Sequence, residues 1–200
     1  MTITHSFAGA PVLILAAGFS NRMGQSKALL AFDKDKTFLE KIIEEYIKYG
    51  SSEIIVVINK NIEKEIIKNQ ILIENTRFVI NKNPENGRWS SILTGLKILG
   101  KKNNCFIQNV DNPFVSADLL FDMETKISFD NYVAPVFKGK GGHPILLGNE
   151  IIKNILAMDE TDRDLKGFLK KFNRTEVETN DKNILVNINT IDDYKKIFVI

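Results

Sequence analysis

The chain has 200 residues, 44% of them hydrophobic and 26% charged. That composition excludes wholesale disorder, and a chain of this length buries roughly 70% of its unfolded surface, enough for a large core without staples. Lys and Arg number 27 against 25 Asp and Glu, so the net charge of +2 excludes a globally basic nucleic-acid-binding surface and leaves any anion site local.

Cysteine usage narrows the chemistry further. Cys105, the lone cysteine, sits in the apolar run CFIQNV. An intramolecular disulfide and a multi-cysteine metal centre are both excluded, and the residue reads as a buried structural thiol in a reducing, cytoplasmic compartment. No stretch approaches the roughly 18–20 apolar residues of a membrane-spanning helix. The opening MTITHSFAGAP, residues 1–11, lacks the basic start of a signal peptide and reads as a lead-in to the first strand.

Taken in chain order, short apolar runs alternate with helical patterns. Val12–Ala16 is predicted as a buried strand, and Thr37–Tyr49 as an amphipathic helix with a Thr37/Glu40 capping box. Glu53–Ile58 is a second strand, Glu63–Asn69 a helix, Arg77–Ile80 a strand and Ser90–Leu99 a helix. Asn104–Val110 is a strand, followed by a helix over Ser116–Ile127 with Ser116 as its cap. Strands at Tyr132–Val136 and Pro144–Leu147 precede helices near Glu150–Ala157 and Asp164–Phe172. Ile184–Ile188 is read as a last strand, and Thr190–Phe198 as a helix opened by a Thr190/Asp193 box. Continuous apolar strands alternating with helices predict an α/β fold, a mostly parallel sheet covered on both faces, with antiparallel additions after Tyr132. Ligands in such sheets bind at the carboxyl ends of the strands.

Five places carry candidate chemistry. The first strand runs into Ala16-Ala17-Gly18 and a loop through Arg22, Gly24 and Lys27. Glycine permits close backbone approach, backbone N–H groups form an anion nest, and Arg and Lys neutralise phosphates. The plainer reading is a strand-end loop with surface cations. Neither a Walker A loop nor GxGxxG is present, and the missing GxGxxG argues against a nicotinamide oxidoreductase. Asp111, at a strand end before Asn112-Pro113, is either a Mg²⁺ ligand or an Asx-turn residue. Gly87-Arg88-Trp89-Ser90-Ser91 opens a helix whose free N–H groups bind an anion or a base edge, unless Ser90 or Ser91 caps it. Gly139 to Pro144 is a flexible loop whose His143 either contacts an acidic substrate or fills a turn. Asn187 at the end of the last predicted strand offers a carbonyl oxygen to a metal, or joins Asn189 in a polar turn.

Together and in this order, these five places resemble the MobA-like NTP transferase family. The signature LAAGxSxRMGxxKxLL stands complete from Leu15 to Leu30. Asp111 and Pro113, Gly87 to Ser91, the GxxGHP of Gly139, Gly142, His143 and Pro144, and Asn187-Ile188-Asn189-Thr190 match the later motifs. The resemblance implies a Rossmann-like three-layer α/β/α sandwich, with a mostly parallel mixed sheet of about seven strands, as a single domain over residues 12–200. It implies Leu15, Ala16, Ala17, Gly18, Arg22, Lys27, Arg88 and Ser91 at the nucleotide, with Arg22, Lys27 and Asp111 in catalysis. It also implies Gly142 and His143 on the acceptor side, and Mg²⁺ on Asp111 and Asn187.

The implied activity is NMP transfer from an NTP to a phosphorylated, molybdopterin-type acceptor, releasing pyrophosphate, with no nucleic-acid or membrane partner. A transient molybdoenzyme or chaperone partner follows from the same resemblance. Ala17, where guanylyltransferases usually carry glycine, favours CTP. Asn187 and Asn189 replace the cytidylyl branch's usual aspartates, and Asn112 its usual glutamine. A GTP-using or sugar-phosphate transferase therefore stays open, as does a nucleotide-binding, chaperone-like protein without catalysis.

Overall fold

The computed structural model describes residues 8–20, 23–68, 76–100, 104–158 and 164–198. The first half alternates strand and helix: β1 (Val12–Leu15), α1 (Phe38–Tyr49), β2 (Ile54–Ile58), α2 (Lys60–Lys68), β3 (Thr76–Ile80), α3 (Gly87–Leu99), β4 (Cys105–Asn109) and α4 (Ala117–Glu124). The second half runs β5 (Asn131–Phe137), β6 (Lys140–Gly141), β7 (Ile145–Leu147), α5 (Asn149–Leu156), α6 (Leu165–Leu169), β8 (Asn173–Glu178) and α7 (Ile191–Ile197). Every residue of β1, β2 and β4 is buried, including the polar Gln108 and Asn109 that end β4, as expected of central parallel strands covered on both faces. Among the described residues the strands form one eight-stranded sheet ordered β3-β2-β1-β4-β7-β5, with β6 and β8 both paired to β5. The pairs β1–β2, β1–β4, β2–β3 and β5–β8 are parallel; β4–β7, β5–β7 and β5–β6 are antiparallel, as expected after Tyr132.

Strand alternation splits the core in two. Val12, Ile14, Val56 and Phe106 face Leu39, Ile42 and Tyr46 of α1 and Leu120 and Met123 of α4. Leu13, Ile55, Val57 and Ile107 face Ile92 and Leu96 of α3 and Ile151 and Ile155 of α5. Truncating one such fully buried residue, Ile14→Ala for example, costs about 2–5 kcal/mol. Gly95 lets α3 lie close on β1, since a Cβ there would stand 2.8 Å from the Leu13 side chain. Both predicted capping boxes form, Thr37 with Glu40 and Thr190 with Asp193, and Ser116 caps α4. A third cluster, with Met23, Leu30, Phe38 and Tyr194, docks α7 on the segment after Lys27, where Tyr194 Oη donates to the Ala31 carbonyl at 2.8 Å.

The sequence reading needs three corrections. Residues 184–188 are not a strand: Lys182–Leu185 is a 3-10 turn whose Ile184 carbonyl accepts from the His143 N–H and the Asn112 carboxamide. The edge strand there is β8, whose sequence NRTEVE buries only Val177 and so lacks an apolar signal. Ser90 and Ser91 do not cap α3, which begins at Gly87 with no side-chain cap. Among the described residues no helix is long and apolar enough to cross a membrane.

Candidate active site

The carboxyl ends of β1 and β4 open into a cleft of about 370 Å³. Its floor is Leu15 to Ser20 and Asn109 to Asp111; Gly87, Arg88 and Ser91 of α3 form one side, and Lys27 and Asn189 another. The chain leaves β1 through Ala16 and Ala17, both buried, and the Ala17 carbonyl is fixed at 2.8 Å by the Asn59 carboxamide. Ser20 adopts a left-handed φ of 52°, its carbonyl accepts from the Met23 N–H at 2.8 Å, and Gly24 follows at φ 70°. The loop thus doubles back to bring Lys27 to the mouth of the strand it just left. Arg22 lies outside the described residues.

Lys27 Nζ donates to Asn189 Oδ1 at 2.8 Å and stands 3.6 Å from Asp111 Oδ2. The Asp111 side chain is 15% exposed, and its other oxygen, Oδ1, is buried without a hydrogen-bond partner. A buried carboxylate oxygen left unpaired is costly and marks a place for a ligand cation or donor. The Asx-turn reading of this aspartate belongs to its neighbour. Asn112 Oδ1 accepts from the Phe114 N–H at 3.3 Å, while its amide ties the Asn183 and Ile184 carbonyls at 3.3 and 2.9 Å.

α3 presents its uncapped N-terminal end to the same cleft. Gly87 takes φ 75°, which only glycine adopts cheaply, to turn the chain into the helix. Arg88 is exposed on the cleft wall and Ser91 is buried in it.

His143 reaches the floor from below. Its Nε2 lies 3.2 Å from the Asn109 carboxamide nitrogen. Burial, then the Arg88 charge, hold its pKa below the ordinary imidazole value, with Asp111 opposing. The ring is therefore neutral at pH 7.

Of the residues singled out from sequence, Leu15, Ala16, Ala17, Gly18, Lys27, Arg88, Ser91 and Asp111 converge on the cleft. Gly142, His143 and Asn187 are not among its lining residues, and His143 meets the floor through Asn109. Gly142 packs on the 3-10 turn, where a Cβ would stand 2.5 Å from the Ile184 carbonyl oxygen. Asn187 is exposed; the chain turns into the α7 capping box at Asn189, and that residue meets Lys27. Asn109 and Asn189 were missed as cleft residues, although a strand-end position and the Asn-Ile-Asn repeat marked both.

Residues 12–177 match the MobA-like NTP transferase domain, and the chain belongs to that family. It is 26% identical over 183 residues to the molybdenum cofactor cytidylyltransferase of Escherichia coli K12, covering 91% of this chain and 92% of that one. It is 28% identical over 196 residues to a probable molybdenum cofactor guanylyltransferase of Bacillus cytotoxicus, covering 92% and 94%. Over 105 residues, 52% of this chain and 50% of the other, it is 30% identical to the nicotine blue oxidoreductase of Paenarthrobacter nicotinovorans. Among solved structures, Rv0371c of Mycobacterium tuberculosis H37Rv superposes with a TM-score of 0.80 at 19% identity, covering 96% and 98%. That mycobacterial protein has also been crystallised as a manganese complex.

Proposed function

We propose that this chain is a nucleotidyltransferase that moves a nucleoside monophosphate from an NTP, CTP in preference, to a phosphorylated acceptor of the molybdopterin type. The observation that carries the reading is a strand-end cleft shared by Asp111, Lys27 and an uncapped helix end, in which one Asp111 oxygen stands 3.6 Å from the lysine and the other is buried without a partner. In the reaction an ionised acceptor phosphate oxygen bonds to the α-phosphorus. The bond from that phosphorus to the α,β-bridging oxygen breaks, and its electron pair leaves with pyrophosphate. No proton has to be removed, so a general base is not required. Lys27 and Arg22 neutralise the leaving pyrophosphate, the α3 end and Arg88 bind the nucleotide, and His143 lies on the acceptor side through Asn109.

The donor set fits a hard divalent cation. Asp111 supplies one carboxylate oxygen without a hydrogen-bond partner, and no group of three or more His, Cys, Asp or Glu exists among the described residues. Mg²⁺ and Mn²⁺ accept such sparse protein ligation because water and substrate phosphates complete the octahedron, whereas structural zinc does not. Asp111 would hold the ion, with the neutral oxygen of Asn187 or Asn189 as a second donor. When bound, the cation supplies charge neutralisation at the phosphoryl oxygens.

The Asn187/Asn189 pair keeps GTP as the second reading. A melting screen with CTP, GTP, UTP, ATP and NADH, each with and without Mg²⁺, followed by a pyrophosphate-release assay, tests both. A ligand at 100 times its Kd raises the melting temperature by about 5–10 °C. A CTP shift with pyrophosphate release on adding acceptor is expected. A larger GTP shift favours the second reading, NTP shifts without release point to the inactive nucleotide binder, and a shift by NADH alone overturns nucleotidyl transfer.

A further inference from the structure

We infer that Asn81 is a positioning residue that fixes the hydrogen-bond polarity of Ser91, making its hydroxyl a donor into the cleft that selects cytosine over uracil. The inference rests on the nucleotidyltransferase reading above and deepens it to the base itself.

The polarity follows from a closed set of bonds at the start of α3. Asn81, at the end of β3, is 3% exposed. Its Oδ1 accepts from the Asn83 backbone N–H at 2.9 Å. A backbone N–H cannot accept, so the carboxamide is locked with its oxygen toward Asn83 and its nitrogen toward α3. Its two N–H bonds donate to Ser90 Oγ at 2.8 Å and to Ser91 Oγ at 3.0 Å. Ser90 passes its own proton to the Asn83 and Gly87 carbonyls, at 3.0 and 2.9 Å, and is complete. Ser91 differs. Its oxygen accepts from Asn81, its hydroxyl proton has no protein acceptor among the described residues, and it lines the cleft at 5% exposure. A buried hydroxyl in that state needs an acceptor from the ligand.

Cytosine presents N3 and O2 as adjacent acceptors. Uracil carries N3–H at the same edge and opposes a donor there. The two bases are nearly identical in size, so the Ala17 wall cannot tell them apart and a polarity device must. Changing Asn81 to Asp keeps its shape but replaces two donors with an acceptor oxygen. The Ser91 proton would then turn inward, leaving only lone pairs toward the base.

The test measures Kd for CTP and for UTP with Mg²⁺ on the wild-type chain and on Asn81→Asp and Ser91→Ala, with a melting curve for each. The wild type is expected to prefer CTP, and both variants to lower the CTP:UTP preference about tenfold, the worth of one hydrogen bond. A folded Asn81→Asp whose preference is unchanged, with both nucleotides weakened alike, makes Asn81 a turn anchor and overturns the inference. If Asn81→Asp does not fold, Ser91→Ala decides: an unchanged preference overturns the inference and a tenfold fall sustains it. Equal binding of CTP and UTP by the wild type overturns this inference alone. Binding of no NTP overturns the parent reading as well.

Discussion

Asn112 and Ile184, 72 residues apart in the chain, are joined by a 2.9 Å hydrogen bond from carboxamide to carbonyl. The same carbonyl accepts from the His143 N–H at 3.0 Å, so one oxygen fastens the end of β4, the glycine loop before β7 and the turn after β8. Fastening is therefore the work of Asn112, and the adjacent Asp111 keeps an unengaged oxygen at the cleft.

These neighbours should respond oppositely to substitution. Asp111→Asn is expected to lower pyrophosphate release by about 10²–10³-fold, as for loss of one charge-organising group, and to abolish the divalent-cation gain in NTP binding. Its melting temperature should stay at or above the wild-type value, because a buried charge is removed. Asn112→Ala removes one donor each from the Asn183 and Ile184 carbonyls, leaving them only the Val186 and His143 N–H groups, and should cost about 1–3 kcal/mol. That is a fall of about 2–12 °C in melting, with the folded fraction still active. Melting curves and pyrophosphate assays on the two proteins check the contrast.

Lys27 should matter more to turnover than to folding. Its ammonium ends among polar partners at the cleft, not in the core. Lys27→Ala is expected to lose about 10²–10³-fold in rate with its melting point within a few degrees of wild type. Asn189→Ala should raise KM for the NTP several-fold by releasing the lysine, and exposed Asn187→Ala should do less. Steady-state kinetics on the three variants would expose the reverse ranking if Asn187 is the working residue.

Base size is tested at Ala17. The residue lines the cleft, is 3% exposed and has its carbonyl pinned by Asn59, so its place in the wall is fixed. Ala17→Gly should increase the GTP-induced melting shift relative to that of CTP. An unchanged ratio would remove this residue from base selection.

His143 gives a pH signature. Its folded pKa lies below the unfolded value of about 6.5, because burial and Arg88 disfavour the cation. The unfolded chain therefore binds more protons, and stability from this group is fully present above about 6.5 and is lost as pH falls through it toward the folded value. Chemical denaturation from pH 8 to pH 5 should show that acid limb, and His143→Gln should flatten it.

Where burial and turn chemistry agree, the sequence was readable. Val12–Leu15 and Ile54–Ile58 are apolar throughout and Cys105–Ile107 opens β4 with apolar residues, because helices cover both faces, and Thr37 and Thr190 declare helix starts through their boxes. β8 was not readable, since an edge strand paired on one side needs little apolar surface. Residues 184–188 misled for the opposite reason. Ile184 and Ile188 are fully buried, yet carbonyls there serve side chains and loop N–H groups instead of a ladder. For the site, glycine spacing and strand-end position named most of the cleft wall. The Asn81–Ser91 bond was invisible, because two polar residues in a helix start carry no pattern until the fold sets a third against them.

Apart from Asn189, the described residues of the cleft wall all precede Asn112 in the chain. Ribosomes make proteins from the N-terminus, so a growing chain displays the Gly18 loop, α3 and Asp111 well before the residue that holds Lys27 in place. Until Asn189 emerges, the 2.8 Å bond that it accepts from Lys27 cannot form. Alignment of that lysine is thus tied to a residue 78 positions beyond Asp111, and a chain stalled before Asn189 carries the other lining residues without that fastening.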